Sequence, residues 1–343
     1  MIAPRWRSLF LILGFVSLAF GVAGGLARLA PMVHAPGPAI AWHGMLMVSA
    51  FLGTVISLER AVALRRLWGY AGPLAAGLGG VLVLSGAPGA GWGLLVLAAA
   101  LLCAANMVVV ARQPALETAV LLGGALAWLA GNAIFLFGDG TPWWIAFFAL
   151  TIGGERLELS RYARRSAVSR RAFAAIALAL LFAPLVPRVL GAALAMLGLW
   201  LATYDLARVT VRQRALPRYI AVCLLAGYFW LVVAGAVFLL QGPRDAALHA
   251  VFLGFVFSMI FGHAAVILPA VLRVSFPYRP ILYLPLVVLH VSLFIRVLGG
   301  LLDAGSIKSG GAWGNAAAIA LFIAVAAFLV LFDRGQRTRP ARV

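Results

Sequence analysis

Residues 91–111, GWGLLVLAAALLCAANMVVVA, run for 21 positions without a charged side chain. The hydrocarbon core of a bilayer is about 30 Å thick and takes roughly 20 apolar residues per helical crossing. Runs of this kind, punctuated by Arg, Pro and Gly, recur near 8–30, 39–64, 70–87, 91–111, 115–137, 141–160, 171–186, 188–210, 218–240, 245–272, 280–302 and 310–332. The expected fold is therefore all-α, a polytopic membrane protein of about 12 transmembrane helices. Composition agrees, because 64% hydrophobic and 10% charged residues with a mean hydropathy of +1.07 do not suit a water-soluble domain. The start, MIAPRWRSLFLILGF, is basic like a signal peptide, but its apolar stretch is too long and no cleavage site follows, so a retained first helix is expected.

A net charge of +18 raises the question of nucleic acid, and placement answers it. The N-terminal tail, the loops after even-numbered helices with the helix ends that flank them, and the C-terminal tail together hold 22 of the 27 Lys and Arg, among them Arg60, Arg65, Arg66, Arg161, Arg164, Arg165, Arg170 and Arg171. The opposite loops hold Arg28, Arg188, Arg244 and Lys308, and Arg296 lies within a helix. This asymmetry is the positive-inside rule, which puts both termini in the cytoplasm and makes membrane lipid, not nucleic acid, the partner of the charge. Cys103 and Cys223 fall inside helices with no CxxC spacing, as structural thiols do.

The chain is expected to form a single transmembrane domain, 1–343, with internal repeats near 1–111, 112–210 and 211–343. TVISLERAVALRR at the end of the second helix is echoed by LTIGGERLELSRYARR at the end of the sixth, so Glu59–Arg60 and Glu155–Arg156 recur four helices apart. The tenth helix begins Ala-Leu-His249 where the second has Ala-Trp-His43. These echoes suggest a three-fold repeat of four helices rather than an inverted six-plus-six arrangement.

Depth groups the histidines. His43 and His249 each lie four residues into an inward-running helix, near the outer face. His263 is 14 residues past His249, about 21 Å deeper and, on a uniform α-helix, about 40° from the same face. His290, on the returning eleventh helix, comes back to that depth. Ionisable groups in a membrane face a partner, a cavity or the bundle interior. Neutral imidazole is also a common metal ligand, and two opposed imidazoles suit a haem iron. His43 and His249 are thus candidate axial ligands of haem b, with Gly44 and Gly254 leaving room for a macrocycle and Arg28, Trp42, Trp143, Trp144 or Arg244 placed to meet propionates. Hydrogen bonding at the interface is the plainer reading. His263 and His290 are candidates for an inner metal site. Met47 and Met259 stand four residues from His43 and His263, a thioether–imidazole pattern that suits copper, although methionine also fills apolar gaps.

Glu59 is 16 residues from His43, about 160° around a uniform helix, so the two are expected to face apart. Glu59, Arg60, Glu155 and Arg156 then read either as structural ion pairs at the inner rim or as a proton relay, with Glu158 and Arg161 extending the second pair at i, i+3 spacing.

Twelve helices with both termini inside, histidines at the outer ends of the second and tenth, and the text HAVFLGFVFSMIFGHAAVILPAVL resemble the NnrS family of bacterial inner-membrane proteins. More distantly the layout resembles the catalytic subunit of haem–copper oxidases. The specific text covers little beyond 41–66 and 245–272. The resemblance implies haem and copper, redox chemistry or a response to nitric oxide, an electron-transfer or respiratory-complex partner, axial ligation by His43 and His249, and His263 as a further ligand. The sixth and seventh helices carry no histidine, so neither a binuclear centre nor oxygen reduction is expected. Two other classes fit the residues: a proton-coupled secondary transporter using Glu59 and Glu155, and an assembly or scaffold subunit of a respiratory complex.

Overall fold

In the computed structural model the described residues are 2–30, 32–159 and 166–337, with side chains described to residue 331. Arg161, Arg164 and Arg165 lie outside them. The described residues form helices and connecting segments, with no strand among them. Twelve long helices follow the apolar runs: α1 Pro4–Ala27, α2 His43–Leu64, α3 Leu67–Leu84, α4 Pro88–Arg112, α5 Leu116–Ile134, α6 Thr141–Leu159, α7 Ala167–Leu185, α8 Pro187–Tyr204, α9 Ala215–Leu239, α10 Arg244–Leu272, α11 Pro280–Leu301 and α12 Gly305–Leu331. Proline opens α1, α4, α8 and α11, where its fixed φ suits the first turn and its missing N–H is not needed. Ser166 Oγ caps α7 by accepting from the Ser169 N–H at 3.2 Å.

Eleven of these helices are long and apolar enough to cross a membrane, and the protein is a polytopic all-α membrane protein. The exception, α6, has the length but carries Glu155, Arg156 and Glu158 in its last turns. It is also the most enclosed helix, with Trp144 through Gly154 all buried.

The chain divides into two compact units, Met1–Ala193 and Leu194–Val343. That boundary falls inside α8, whereas the sequence echoes place repeat boundaries near 111 and 210. In the first unit α1 packs on α2 and α3, the pairs α3–α4, α4–α5 and α5–α6 are sequential hairpins, and α7 lies on α5 and α6. A polar node joins four of these helices. Asn132 Oδ1 accepts from Ser49 Oγ at 2.6 Å and from Trp144 Nε1 at 2.9 Å, while Asn132 Nδ2 donates to the Leu95 carbonyl at 2.9 Å. Trp128 Nε1 donates to Ser49 Oγ at 3.1 Å, and Trp92 Nε1 to the Asn132 carbonyl at 2.5 Å. Without water to serve them, polar side chains at this depth must satisfy one another, and here they do.

In the second unit α10 is flanked by α9 and α11, and α12 runs along α11. The α11–α12 pair approaches backbone to backbone at small residues: a methyl group on Gly299 or Gly311 would strike the main chain of Lys308 or Arg296. Phe261 of α10 stacks on Phe322 of α12, ring centroids 3.9 Å apart and 8° from parallel.

The helices α2 and α10 share an unusual build. Each contains a π-helical segment near its histidine, Leu46–Leu52 after His43 and Ala250–Phe257 after His249. Each then returns to α geometry and stops at an arginine in the left-handed region, Arg65 at φ 56° and Arg273 at φ 55°.

Candidate functional site: the histidine helices

A π segment bonds i to i+5 rather than i+4, so it takes up about one extra residue and turns everything beyond it back by about 100°. Both angles read from the sequence assume a uniform helix, and both cross such a segment. With one extra residue allowed for, Glu59 moves from about 160° to about 60° from the face of His43, and His263 moves from about 40° to about 140° from that of His249. Within each helix the angular relation expected from the sequence is reversed.

His43 is half-buried, and its Nδ1 lies 2.6 Å from the Gly21 carbonyl of α1. A carbonyl oxygen only accepts, so Nδ1 carries the proton and the lone pair sits on Nε2. Gly25, one turn along α1, is glycine for a local reason, since its Cβ would lie 2.6 Å from the imidazole Cε1. His249 is arranged alike: Nδ1 is 2.8 Å from the Asp245 carbonyl and 3.2 Å from Asp245 Oδ1. Asp245 is held in turn by Arg296, which donates from Nε and Nη2. A ring N–H directed at a carbonyl or carboxylate is the usual support of a metal-bound imidazole, because it fixes orientation and raises the basicity of the other nitrogen. His263 directs Nδ1 to the Met259 carbonyl at 2.8 Å.

His290 differs. Its Nδ1 accepts from Trp230 Nε1 at 2.9 Å, with the two rings 9° from coplanar, so its proton is on Nε2, which faces Ser258 Oγ at 3.4 Å. As arranged, the Nδ1 lone pair is taken by the indole, and the ring is a packing partner of Trp230. Among the described residues no group of three or more His, Cys, Asp or Glu is gathered as a metal cage.

The other residues singled out by the sequence fall as follows. Met47 and Met259 each rest against a glycine of a neighbouring helix: a Cβ on Gly21 would meet Met47 Sδ at 2.8 Å, and one on Gly227 would meet Met259 Cε at 2.6 Å. That is the gap-filling use of methionine. Gly44 has open space, its Cβ meeting only Trp144 at 3.8 Å, whereas the space beside Gly254 is filled by Trp230. Arg28 spends its guanidinium on the Ile40 and Ala41 carbonyls at 2.8 Å, and Trp144 spends its N–H on Asn132. Glu155 lies within electrostatic range of Glu59 and Arg60 on α2 and of Arg156 and Glu158 on its own helix, so the two echoed Glu–Arg pairs form one cluster in the first unit. Arg156 is buried there.

Sequence reasoning passed over Asp245, Arg296 and Asn132. The signal was present for the first two: Asp245 stands at i, i+4 to His249, and a lone arginine inside an apolar span needs an acidic partner.

A family model matches residues 7–331, across both units. The chain belongs to the DUF8744 family. That family is described as a domain of unknown function. No curated protein and no solved structure matches the chain.

Proposed function

We propose that this DUF8744 protein is a haem-binding protein of the bacterial inner membrane, with both termini cytoplasmic, serving redox chemistry or the response to nitric oxide or respiratory stress. One observation carries the reading: His43 and His249 both commit Nδ1–H to oxygen acceptors, which gives each the Nε2 lone pair that an iron ligand requires. Taken in its own unit, each imidazole has the donor chemistry that a haem b iron takes. His43 is braced by α1, and His249 has both a carbonyl and a carboxylate behind it. The bound group would supply reversible one-electron chemistry, and His43 and His249 would hold it through imidazole nitrogens kept in orientation by their own hydrogen bonds. The resemblance to NnrS proteins supports the same reading, and placement of 22 of 27 basic residues on one side supports the orientation. Copper is the less favoured metal, since Met47 and Met259 have packing roles already.

The test is an absorption spectrum of protein purified in mild detergent, oxidised and then reduced with dithionite, with metal analysis of the same sample. A reducible Soret band with sharp α and β bands is expected, and His43→Ala and His249→Ala should each lower the haem-to-protein ratio at least tenfold. Colourless protein from haem-replete cells would end the reading.

A second reading, proton-coupled transport of a small solute, is favoured by the Glu59–Glu155 cluster. It requires uptake into vesicles that Glu59→Gln or Glu155→Gln abolishes while leaving the spectrum unchanged.

A further inference from the structure

A cleft of about 380 Å³ opens in the second unit between the start of α9 and the chain leading from α10 into α11. Its lining is Arg214, Ala215, Arg218 and Val222 on one side, and Tyr278 and Tyr283 on the other. Two arginines and two tyrosines thus line one concavity that no acidic residue lines. Arg214 stands in extended backbone just before α9 and Arg218 lies in the first turn of that helix, so two like charges line one wall of the cleft. Among the described residues neither is paired with an acid. Arg218 lies within electrostatic range of Tyr283.

The tyrosines are fixed from behind. Tyr219, fully buried, meets Tyr283 edge-on with centroids 5.2 Å apart and Tyr278 at 6.4 Å. The cleft is therefore a shaped wall rather than a loose basic surface, and its volume is within the range of small-ligand sites, about 300–1,000 Å³. The start of α9, which has no side-chain cap, adds the positive end of a 25-residue helix to the same field.

We propose that this cleft binds a phosphate ester, the headgroup of an acidic phospholipid. Arginine pairs grip phosphate oxygens bidentately, and phenol hydroxyls donate to the remainder. The lipid is favoured over a soluble phosphate by position, because the cleft lies at the end of a membrane-spanning helix, where headgroups lie.

The full chain in neutral detergent should retain phosphatidylglycerol in native mass spectra and gain thermal stability from it, with phosphatidylcholine doing neither. R214Q/R218Q should weaken phosphatidylglycerol binding at least tenfold while keeping the lipid-free melting temperature, since both side chains are exposed. R218K, which keeps charge but not the planar fork, should fall between wild type and R218Q. An R112Q control, removing an exposed arginine outside the cleft, should bind as wild type does. Equal retention by wild type and R214Q/R218Q, or an equal loss in R112Q, would overturn the site. Displacement of the lipid by millimolar glycerol phosphate would overturn the lipid assignment in favour of a soluble ester.

Discussion

Arg296 grips Asp245 through two hydrogen bonds, Nε to Oδ2 at 3.2 Å and Nη2 to Oδ1 at 3.0 Å. The same carboxylate stands 3.2 Å from His249 Nδ1, so a residue 51 positions away in sequence sets the orientation of the imidazole.

Removing the charge from Asp245 strands Arg296, which is only 8% exposed. Asp245→Asn should lower stability by about 1–3 kcal/mol, because a buried donor loses its charged acceptor. Arg296→Met in the same chain should restore part of the loss, a coupling that a double-mutant cycle in detergent melting reads directly. Additive losses would mean that the pair contributes nothing.

Gly25 offers a way to disturb His43 without deleting it. A side chain there collides with the imidazole, so Gly25→Val should turn the ring off the Gly21 carbonyl. If His43 binds haem, absorbance should fall nearly as far as in His43→Ala. Full pigment in Gly25→Val would show that the brace is dispensable.

Asn132 serves two donors and one acceptor with its side chain. Asn132→Leu should orphan the Trp144 N–H and the Ser49 O–H together and destabilise the protein by about 2–4 kcal/mol, read as a drop in the detergent melting temperature. Ser49→Ala should cost less, about 1–2 kcal/mol, since only the Trp128 N–H then lacks its acceptor.

The π segments place a glycine under an indole in each unit: Gly53, just after the first segment, under Trp128, and Gly254, within the second, under Trp230. Gly254→Ala should overpack that contact by about 1–3 kcal/mol and, by displacing Trp230 from His290, shift tryptophan fluorescence. Gly89→Ala, with open space around it, should be neutral or slightly stabilising.

The helices were legible in the sequence because lipid demands long apolar runs, and the run of residues 91–111 became α4 almost unchanged. The weakness of α6 as a membrane span traces to Glu155, Arg156 and Glu158, which the sequence also displays. The π segments were not legible. LMVSAFL and AVFLGFVF are as apolar as the helical text around them, and a shift from i+4 to i+5 bonding leaves no mark in composition. Every angle carried across them was therefore misjudged. Ser49 and Asn132, 83 residues apart, were also beyond reach, since one sequence does not say which polar side chains meet.

At both Arg65 and Arg273 an arginine occupies the backbone conformation that glycine fills more cheaply. Holding a side chain there costs about 1–2 kcal/mol, and in return each helix ends on a fixed positive charge. Such a stop acts as a draught mark. If either helix slid one turn further inward or outward, the guanidinium would leave the headgroup layer for hydrocarbon or open water, so the depth of His43 and of His249 is tied to the arginine that closes its helix.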